Sequence, residues 1–178
     1  MVTPILETSR VLLRLPEMSD AQIVFDNWTS DPNVAKFMRY NVHTSIDTTI
    51  EWLYHAVSKI SCDKSYDWCF ILKESSTLFG AGGLYYDDEH NMFEIGFNIM
   101  KDLWGQGLTT EAAKAMLKFA VEELKQTQFF GKHAKGNIGS GKVLEKLGFV
   151  YQKDSEYPTL DGNQIFQSRE YLLTVNQA

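Results

Sequence analysis

Cysteine is scarce in this chain. Only Cys62 and Cys69 occur among 178 residues, with no second cysteine pair and no histidine cluster beside them. They indicate neither a zinc site nor a disulfide framework, and two reduced thiols are the simpler interpretation. Long apolar runs are also missing, and the first residues contain no basic segment followed by an uninterrupted apolar one. We therefore expect a cytoplasmic protein with no membrane partner and no bound metal.

Basic residues are in the minority, because 17 Lys and Arg stand against 23 Asp and Glu, for a formal net charge of −6. A nucleic-acid-binding protein needs basic side chains gathered on one face, so this balance argues against a nucleic-acid partner. An acidic protein more readily attracts a cationic substrate. The hydrophobic content of 44% and the absence of repeats or low-complexity segments predict one domain spanning residues 1–178.

The clearest pattern predicts a strand, a loop and a helix between residues 91 and 124. Apolar side chains at positions 93, 95, 97 and 99 alternate with Glu94, Gly96 and Asn98, as in a strand with one face in the core and one face free. Gly96, in the middle of the free face, leaves room for a ligand. Apolar residues then recur at helical spacing, so a helix is expected to begin near Leu108.

The loop between this strand and helix reads Trp104-Gly105-Gln106-Gly107-Leu108-Thr109. Its two glycines can adopt positive φ, so that backbone N–H groups converge on one point. Together with the positive end of the helix dipole, this arrangement suits a phosphate group. Taken alone, the pattern fits a ligand loop or an ordinary tight turn. The dinucleotide-binding fingerprint is excluded because Thr110 stands where its third glycine belongs.

A second glycine-rich segment, Gly136–Lys142, satisfies the P-loop spacing G-x-x-x-x-G-K. We reject a P-loop because Val143 stands where the magnesium-binding hydroxyl belongs and the predicted helix ends at Gly148 after about two turns. Asn137 capping a short helix explains the segment better.

The remaining segments predict elements on both sides of this region. Gly80, Gly82 and Gly83 inside one strand mark a bulge or a close approach by another chain or a ligand. In chain order the predicted elements are a strand at Ser9–Leu15, a helix from Ser19 or Asp20 to about Trp28, a short helix at Val34–Met38, a helix from Thr44 or Ser45 to about Ile60, strands at Asp67–Lys73, Leu78–Tyr86 and Gln128–Ala134, and a hairpin of Glu156–Leu160 and Gln164–Thr174.

Two of these segments resemble a known family. The stretch EIGFNIMKDLWGQGLTTEAAKAML is similar to the acyl-CoA-binding segment of the GNAT N-acetyltransferases, in particular the ribosomal-protein (RimJ/RimL-like) branch. That branch also carries Asn-x-x-Ser-x-x-x-Leu-x-Lys-x-Gly-Phe at the same distance downstream. Here this motif is complete, as Asn137, Ser140, Leu144, Lys146, Gly148 and Phe149. The opening segments TSRVLLRLPEMSDA and DPNVAKFM resemble the same branch.

The resemblance implies an α/β GNAT fold, a mixed and mostly antiparallel sheet of about seven strands flanked by about four helices. The sheet would splay after the central strand to admit acetyl-CoA. The residues implied in binding acetyl-CoA are Phe97, Asn98, Ile99, Trp104, Gly105, Gln106, Gly107, Leu108, Thr109, Asn137 and Ser140. Thr109 departs from the family's small residue and adds a hydroxyl group.

The resemblance also implies a mechanism. Asn137 contacts the pantetheine arm, Ser140 lies beside the thioester sulfur and donates to the leaving thiolate, and main-chain N–H groups near Asn98 and Ile99 stabilise the tetrahedral intermediate. A helix cap and its first-turn partner are the alternative interpretation of Asn137 and Ser140. Glu94 is the candidate that accepts the surplus proton of the amine or holds the amine. The alternative for Glu94 is a strand carboxylate that faces solvent or an arginine.

The acceptor expected from the resemblance is a primary amine, most simply the α-amino group of a protein or peptide. Arg39, Tyr40 and His43 are the candidate acceptor contacts, because they lie in a loop between the helices that wall this side of the site in the family. Three alternatives remain open: a GNAT enzyme acting on a small amine such as a polyamine or aminoglycoside, a CoA-binding module without turnover, and a nucleotide-binding protein. The sequence is compatible with a monomer or a homodimer.

Overall fold

The computed structural model describes residues 1–59 and 62–175, and eight strands and five α-helices lie within these ranges. The strands are β1 (Leu6–Glu7), β2 (Val11–Arg14), β3 (Ser65–Leu72), β4 (Thr77–Asp87), β5 (Met92–Ile99), β6 (Gln128–Ala134), β7 (Val150–Pro158) and β8 (Ile165–Thr174). The helices are α1 (Ala21–Val24), α2 (Pro32–Ala35), α3 (Ile46–Ser58), α4 (Leu108–Glu122) and α5 (Ile138–Lys146). None of the helices in these ranges has the length and apolarity needed to cross a bilayer.

The eight strands form one sheet in the order β1-β2-β3-β4-β5-β6-β8-β7. Every neighbouring pair is antiparallel except β5 and β6, which are parallel. The predicted α/β architecture with a mixed, mostly antiparallel sheet is therefore confirmed. The eighth strand is β1, whose two residues pair with β2 and are too short to produce a periodic pattern in the sequence.

Two helix starts agree with the predictions because a capping side chain specifies them. Ser45 caps α3 by accepting from the N–H of Asp47, and Asn137 caps α5 by accepting from the N–H of Ser140. Helix α4 begins at Leu108, as predicted. The end predicted for α3, near Ile60, lies outside the described residues.

Three predicted elements differ from the structure. The short helix predicted at Val34–Met38 is α2, which begins at Pro32, where Asp31 caps it, and ends at Ala35. The helix predicted up to Trp28 consists of a 3-10 turn, α1 and a π-helical turn over Phe25–Thr29. Ser30 stabilises that π turn, since its N–H and its hydroxyl both donate to the carbonyl of Phe25. Strand β7 begins at Val150, six residues before the predicted start at Glu156. Most of its side chains are exposed, so it lacks the alternation that marks a half-buried strand.

Each face of the sheet has its own core. On one face α4 packs against the aromatic and aliphatic side chains of β2–β6, burying Met116 and Ala120 among others. On the opposite face α1, the π turn and α3 cover one end of the sheet, around Cys69 and Ala81. The other end of that face borders a cavity of about 530 Å³, which Trp52 and Ala56 of α3 also line. We call this end of the sheet the open face and define it by Ser65, Asp67, Gly83, Tyr85, Glu94 and Gly96.

The glycines of β4 allow the close approach that the sequence predicted. A Cβ atom on Gly80 would lie 2.5 Å from the carbonyl oxygen of Asn98, and one on Gly82 would lie 2.7 Å from that of Gly96. The register also shifts beside Gly80, where Phe70 pairs with Gly80 and Ile71 pairs with Leu78. Both the bulge and the close approach therefore occur here.

A carboxylate in the first turn of α4 ties this helix to the N-terminal strands. Glu111 accepts hydrogen bonds from the hydroxyl of Thr8 (2.6 Å), the hydroxyl of Ser9 (3.0 Å), and the backbone N–H and Nε of Arg10 (2.8 and 2.7 Å). Arg10 also donates from Nη1 to the carbonyl of Gln106 (3.1 Å). Partial burial alone would raise the pKa of Glu111, but the hydrogen bonds from Thr8, Arg10 and Ser9 outweigh it and lower the pKa to about 2.

Glu111→Gln should lower the free energy of unfolding at neutral pH by about 1–3 kcal/mol, because the amide nitrogen cannot accept from Arg10. A depressed carboxyl pKa stabilises the fold above the unfolded-state value of about 4.3, and this stabilisation is lost as the pH falls towards 2. The difference between the two proteins should therefore shrink below pH 4. Because Arg10 is half exposed, solvent keeps the effect smaller than the pKa alone suggests.

Denaturant unfolding across this pH range measures the effect. Glu122→Gln is the matched control, because Glu122 lies on the same helix and forms only a long, exposed ion pair with Lys118 (3.9 Å). Equal losses in the two variants would show that the Glu111 contacts do not stabilise the fold.

Candidate active site

Strands β5 and β6 separate shortly after they meet. Their parallel pairing is limited to Phe93 with Phe129 and Glu94 with Phe130, and both strands continue for several residues beyond it. The cleft that results contains two cavities, of about 530 and 450 Å³. Phe37, Met38, Phe97, Asn98, Asn137 and Ser140 line both of them.

Backbone N–H groups of β5 point into this cleft. Met100 donates its N–H to the carbonyl of Phe79 (2.8 Å), at the edge that β5 shares with β4. Residues along an antiparallel strand bond alternately to one side and to the other, so the N–H groups of Phe97 and Ile99 face away from β4. They point towards the side from which β6 has separated. The carbonyl of Ile99 accepts a hydrogen bond from Nε1 of Trp104 (3.0 Å).

The glycine loop lies beside the smaller cavity and has the predicted backbone conformation. Gly105 and Gly107 have φ values of 78° and 77°, and α4 begins immediately after them. A Cβ atom on Gly105 would meet nothing within 4 Å, and one on Gly107 only Nη2 of Arg10 at 3.7 Å. The loop is thus open on the sides to which these Cβ atoms would point and lies at a helix N-terminus, a geometry suited to a phosphate group.

The individual loop residues lie in different environments. Trp104, Gly105 and Thr109 line the smaller cavity. Gln106 is exposed and donates from its side chain to the carbonyl of Asp102 (3.3 Å). The side chain of Leu108 is buried in the core, so only its backbone is available to a ligand.

Asn137 and Ser140 lie at the N-terminus of α5, where the two cavities meet. Oδ1 of Asn137 accepts the N–H of Ser140 (3.3 Å), so Asn137 provides the helix cap. The hydroxyl of Ser140 forms no hydrogen bond within the described part of the chain, and its side chain is half-buried. The capping interpretation therefore applies to Asn137 and does not involve the hydroxyl of Ser140.

Glu94 lines the larger cavity from the open face. Nη2 of Arg39 lies 3.8 Å from Oε2 of Glu94, which is too far for a hydrogen bond. Burial raises the pKa of Glu94, and the charges of Lys132 and Arg39 offset this only in part. Such a carboxylate is a better proton acceptor than an exposed one.

The three predicted acceptor contacts do not lie together. Arg39 and Tyr40 line the larger cavity, and the Tyr40 hydroxyl accepts from Nδ2 of Asn98 (2.8 Å). His43 lines neither cavity. It is buried against Thr49, with 2.7 Å between Nδ1 and Oγ1, and its ring packs behind Tyr40. Burial lowers the pKa of His43, which favours a neutral ring.

A wall over the larger cavity is built by residues that sequence reasoning missed. The hydroxyl of Tyr157 in β7 donates to the carbonyl of Phe37 (2.7 Å), and the N–H of Leu160 donates to the carbonyl of Arg39 (2.7 Å). These bonds join the loop after α2 to the hairpin of β7 and β8, 120 residues later in the chain. No local pattern marks such a contact, because the two segments are far apart in the chain.

The space above Gly96 is also occupied differently from the prediction. A Cβ atom on Gly96 would lie 3.2 Å from Cε2 of Tyr85. The ring of Tyr85 therefore takes much of the room that the sequence assigned to a ligand.

The splayed sheet, the glycine loop at a helix N-terminus and the two joined cavities define the class of a coenzyme-dependent transferase. The family model for the "Acetyltransferase (GNAT) domain" matches residues 10–150. This chain therefore belongs to the GNAT acetyltransferases and is an acetyl-CoA-dependent N-acetyltransferase.

Similar proteins agree with this assignment. The uncharacterized N-acetyltransferase YnaD of Bacillus subtilis is 31% identical over 142 residues, which cover 79% of each chain. The uncharacterized N-acetyltransferase p20 of Bacillus licheniformis is 27% identical over 146 residues, 81% of each chain. A GNAT-family acetyltransferase from Bacillus anthracis has a similar solved structure, with a TM-score of 0.82, 24% identity, and 96% of this chain and 98% of that chain covered.

Acetyl-CoA should raise the melting temperature of the protein. At about a hundredfold excess over its dissociation constant the gain is roughly 2.7 kcal/mol, or about 5–10 °C for a chain of this size. Gly107→Val should abolish this shift, because a branched side chain would crowd a phosphate group held by the loop and would strain the positive φ.

Gly162→Val controls for that strain in a thermal-shift assay, because Gly162 also has positive φ (72°), and a Cβ atom there meets nothing within 4 Å. This variant should be destabilised yet retain the acetyl-CoA shift. A flat response of the unaltered protein to acetyl-CoA, together with a clear response to ATP, would contradict the role of the glycine loop and favour Gly136–Lys142 as a nucleotide site.

Proposed function

We propose that this protein transfers the acetyl group of acetyl-CoA to the α-amino group of a peptide or protein, as the ribosomal-protein branch of the family does. The observation that carries the proposal is the composition of one continuous cleft. It contains the Glu94 carboxylate, the outward N–H groups of Phe97 and Ile99, and the Ser140 hydroxyl.

The residues of the cleft match the requirements of direct acyl transfer. A neutral amine forms a C–N bond to the thioester carbon, and the N–H groups of Phe97 and Ile99 stabilise the oxyanion that develops. Glu94 takes the surplus proton of the nitrogen. The C–S bond then breaks, and the CoA thiolate receives a proton from Ser140, which is replenished from solvent. The geometry requires no nucleophilic side chain.

An α-amine fits this site better than a lysine side chain. An α-amino group has a pKa of about 8 and is partly neutral at physiological pH, whereas a lysine near 10.4 needs a stronger base than a carboxylate. The wall of Phe37, Arg39, Tyr157 and Leu160 lines one side of the larger cavity, which suits a chain end more than a residue within a folded surface. The putative ribosomal N-acetyltransferase YdaF of Bacillus subtilis, 30% identical over 119 residues and 56% of this chain, is consistent with this acceptor.

A small-molecule amine is the second candidate. The larger cavity, of about 530 Å³, has the volume of a small-ligand site. Aromatic side chains line it, including Trp52, Tyr85 and Tyr157.

An acceptor panel tests the proposal, with release of the CoA thiol as the readout. Short peptides with a free N-terminal Ser or Ala should be acetylated faster than the same peptides blocked at the N-terminus and containing lysine, because only the α-amine is readily neutral. Equal rates with blocked peptides, or turnover confined to polyamines, would replace the peptide acceptor with the small amine. Acetyl-CoA binding without thiol release for any acceptor would indicate a module without turnover.

Ser140→Ala should lower kcat by about 10²–10⁴ and hardly change acetyl-CoA affinity, because its hydroxyl acts only as the C–S bond breaks. The melting temperature should stay nearly constant, since the hydroxyl forms no internal hydrogen bond in the described residues. Steady-state kinetics below pH 8, coenzyme titration and thermal unfolding measure the three quantities.

Asn137→Ala is the matched variant, because it removes the observed cap of α5. It should cost about 0.5–2 kcal/mol of stability. A Ser140→Ala protein with near-normal kcat would mean that water or a nearby tyrosine protonates the thiolate.

A further inference from the structure

A second carboxylate lies on the open face and has no role in the proposed reaction. Asp67 of β3 is opposite Gly83 of β4, which is opposite Gly96 of β5. Two residues after Gly83 in β4, Tyr85 is opposite Glu94 of β5. Directly paired residues project from the same face of a sheet. Asp67, Tyr85 and Glu94 therefore project to one side, and all three line the larger cavity.

In the described part of the chain, two neutral groups hydrogen-bond to Asp67. Oη of Tyr85 donates to Oδ1 at 2.8 Å, and Oγ of Ser65 donates to Oδ2 at 2.9 Å. Within residues 1–59 and 62–175 Asp67 takes part in no ion pair. Lys59 is an exposed residue of the cavity wall and acts on Asp67 only through longer-range charge. A partly buried carboxylate in this setting favours an added cation.

The ring of Tyr85 connects the two carboxylates. A Cβ atom on Gly83 would lie 2.7 Å from Oη of Tyr85, and one on Gly96 3.2 Å from Cε2. The absence of side chains at these positions lets the ring lie along the sheet and brings its hydroxyl to Asp67. Tyr85 remains 39% exposed, so part of the ring faces the cavity. Aromatic faces attract cations within about 6 Å of the ring centre.

Strand spacing and register in the sheet set the distance between the two carboxylates. Asp67 and Glu94 are two strands and two residues apart in the register. Strands lie about 4.8 Å apart and rise about 3.4 Å per residue, which places the two Cα atoms about 12 Å apart. One small acceptor or one extended peptide end is long enough to reach both.

We propose that Asp67 and the ring of Tyr85 bind a second cationic group of the acceptor while its reacting amine lies near Glu94. The inference rests on the proposed function and narrows the acceptor to a primary amine that carries another positive charge further along its chain. Two kinds of molecule share this chemistry. A peptide whose free N-terminus is followed closely by Lys or Arg corresponds to the proposed acceptor, and an α,ω-diamine corresponds to the small-molecule candidate.

The test compares kcat/KM for matched acceptors. One arm compares α,ω-diamines of increasing length with monoamines of equal length. The kcat/KM of each diamine is halved, because a diamine has two equivalent amines. The other arm uses peptides with a free N-terminal Ser that differ only in Lys or Gln at the second or third position. The dicationic acceptor should be favoured about tenfold in at least one arm, as for a partly buried charge pair. The arm with the larger preference identifies the source of the cation.

Asp67→Asn should abolish this preference, because it retains an acceptor for Tyr85 but removes the charge. Asp26→Asn is the charge-matched control, since Asp26 is exposed, bonds Gln22 and does not line the cavity, and it should leave the preference intact. Tyr85→Phe keeps both the carboxylate and the ring, so the preference should persist. If Asp67 only positioned Tyr85, Asp67→Asn and Tyr85→Phe would slow monocationic and dicationic acceptors alike, which would overturn the inference.

Calorimetric binding of the same amines to the CoA-loaded protein separates this inference from the proposed function. Tighter binding of dications, lost in Asp67→Asn, would support the subsite even if no acceptor in the panel were acetylated. Equal binding of dications and monocations would overturn the subsite, even if peptides were acetylated normally.

Discussion

The parting of β5 and β6 is the constraint on which the rest of this structure depends. The strands pair at Phe93 and Glu94, and α5 packs against them just beyond this point. Leu144 of α5 and Ile95 of β5 both press against Gly131 of β6, where a Cβ atom would lie 2.8 Å from Leu144 and 3.3 Å from Ile95. The separation leaves the N–H groups of β5 without a ladder partner on that side and brings the N-terminus of α5 to the cleft. The cavities and the position of Ser140 are consequences of this one departure from regular pairing.

Carboxylates in this protein differ in behaviour because their neighbours differ. Glu111 receives hydrogen bonds from three residues of the N-terminal segment, and its pKa falls to about 2. Its charge is therefore fixed, and it holds the helix behind the glycine loop against β2. Burial instead raises the pKa of Glu94 and of Asp67, and neither has a hydrogen-bonded cation in the described residues. Carboxylates in such surroundings are suited to exchanging a proton or binding a cation.

Residues behind the cleft support it through a short chain of contacts. His43 is buried against Thr49 of α3 and packs behind Tyr40, which accepts from Asn98 of β5. Burial raises the pKa of Tyr40, and the hydrogen bond from Asn98 offsets this only in part, so the hydroxyl stays protonated. His43 thus supports a residue of the cavity wall from behind. The loop that contains these residues is held from the other side by Tyr157 and Leu160.

The sequence by itself determined the elements whose cause is local. Alternation of apolar and polar side chains defined β5. Two glycines before an amphipathic segment defined the loop and the start of α4, and Asn137 defined the start of α5. Each depends on backbone conformation and capping within a few residues. Only the tertiary structure decided four other features. They are the burial of His43, the pairing of the exposed strand β7, the wall joined by Tyr157, and the meeting of Asp67, Tyr85 and Glu94 on one face. In each case the neighbours that set a side chain's burial, charge and hydrogen bonds come from strands and loops distant in the chain, and no local pattern specifies which of them meet.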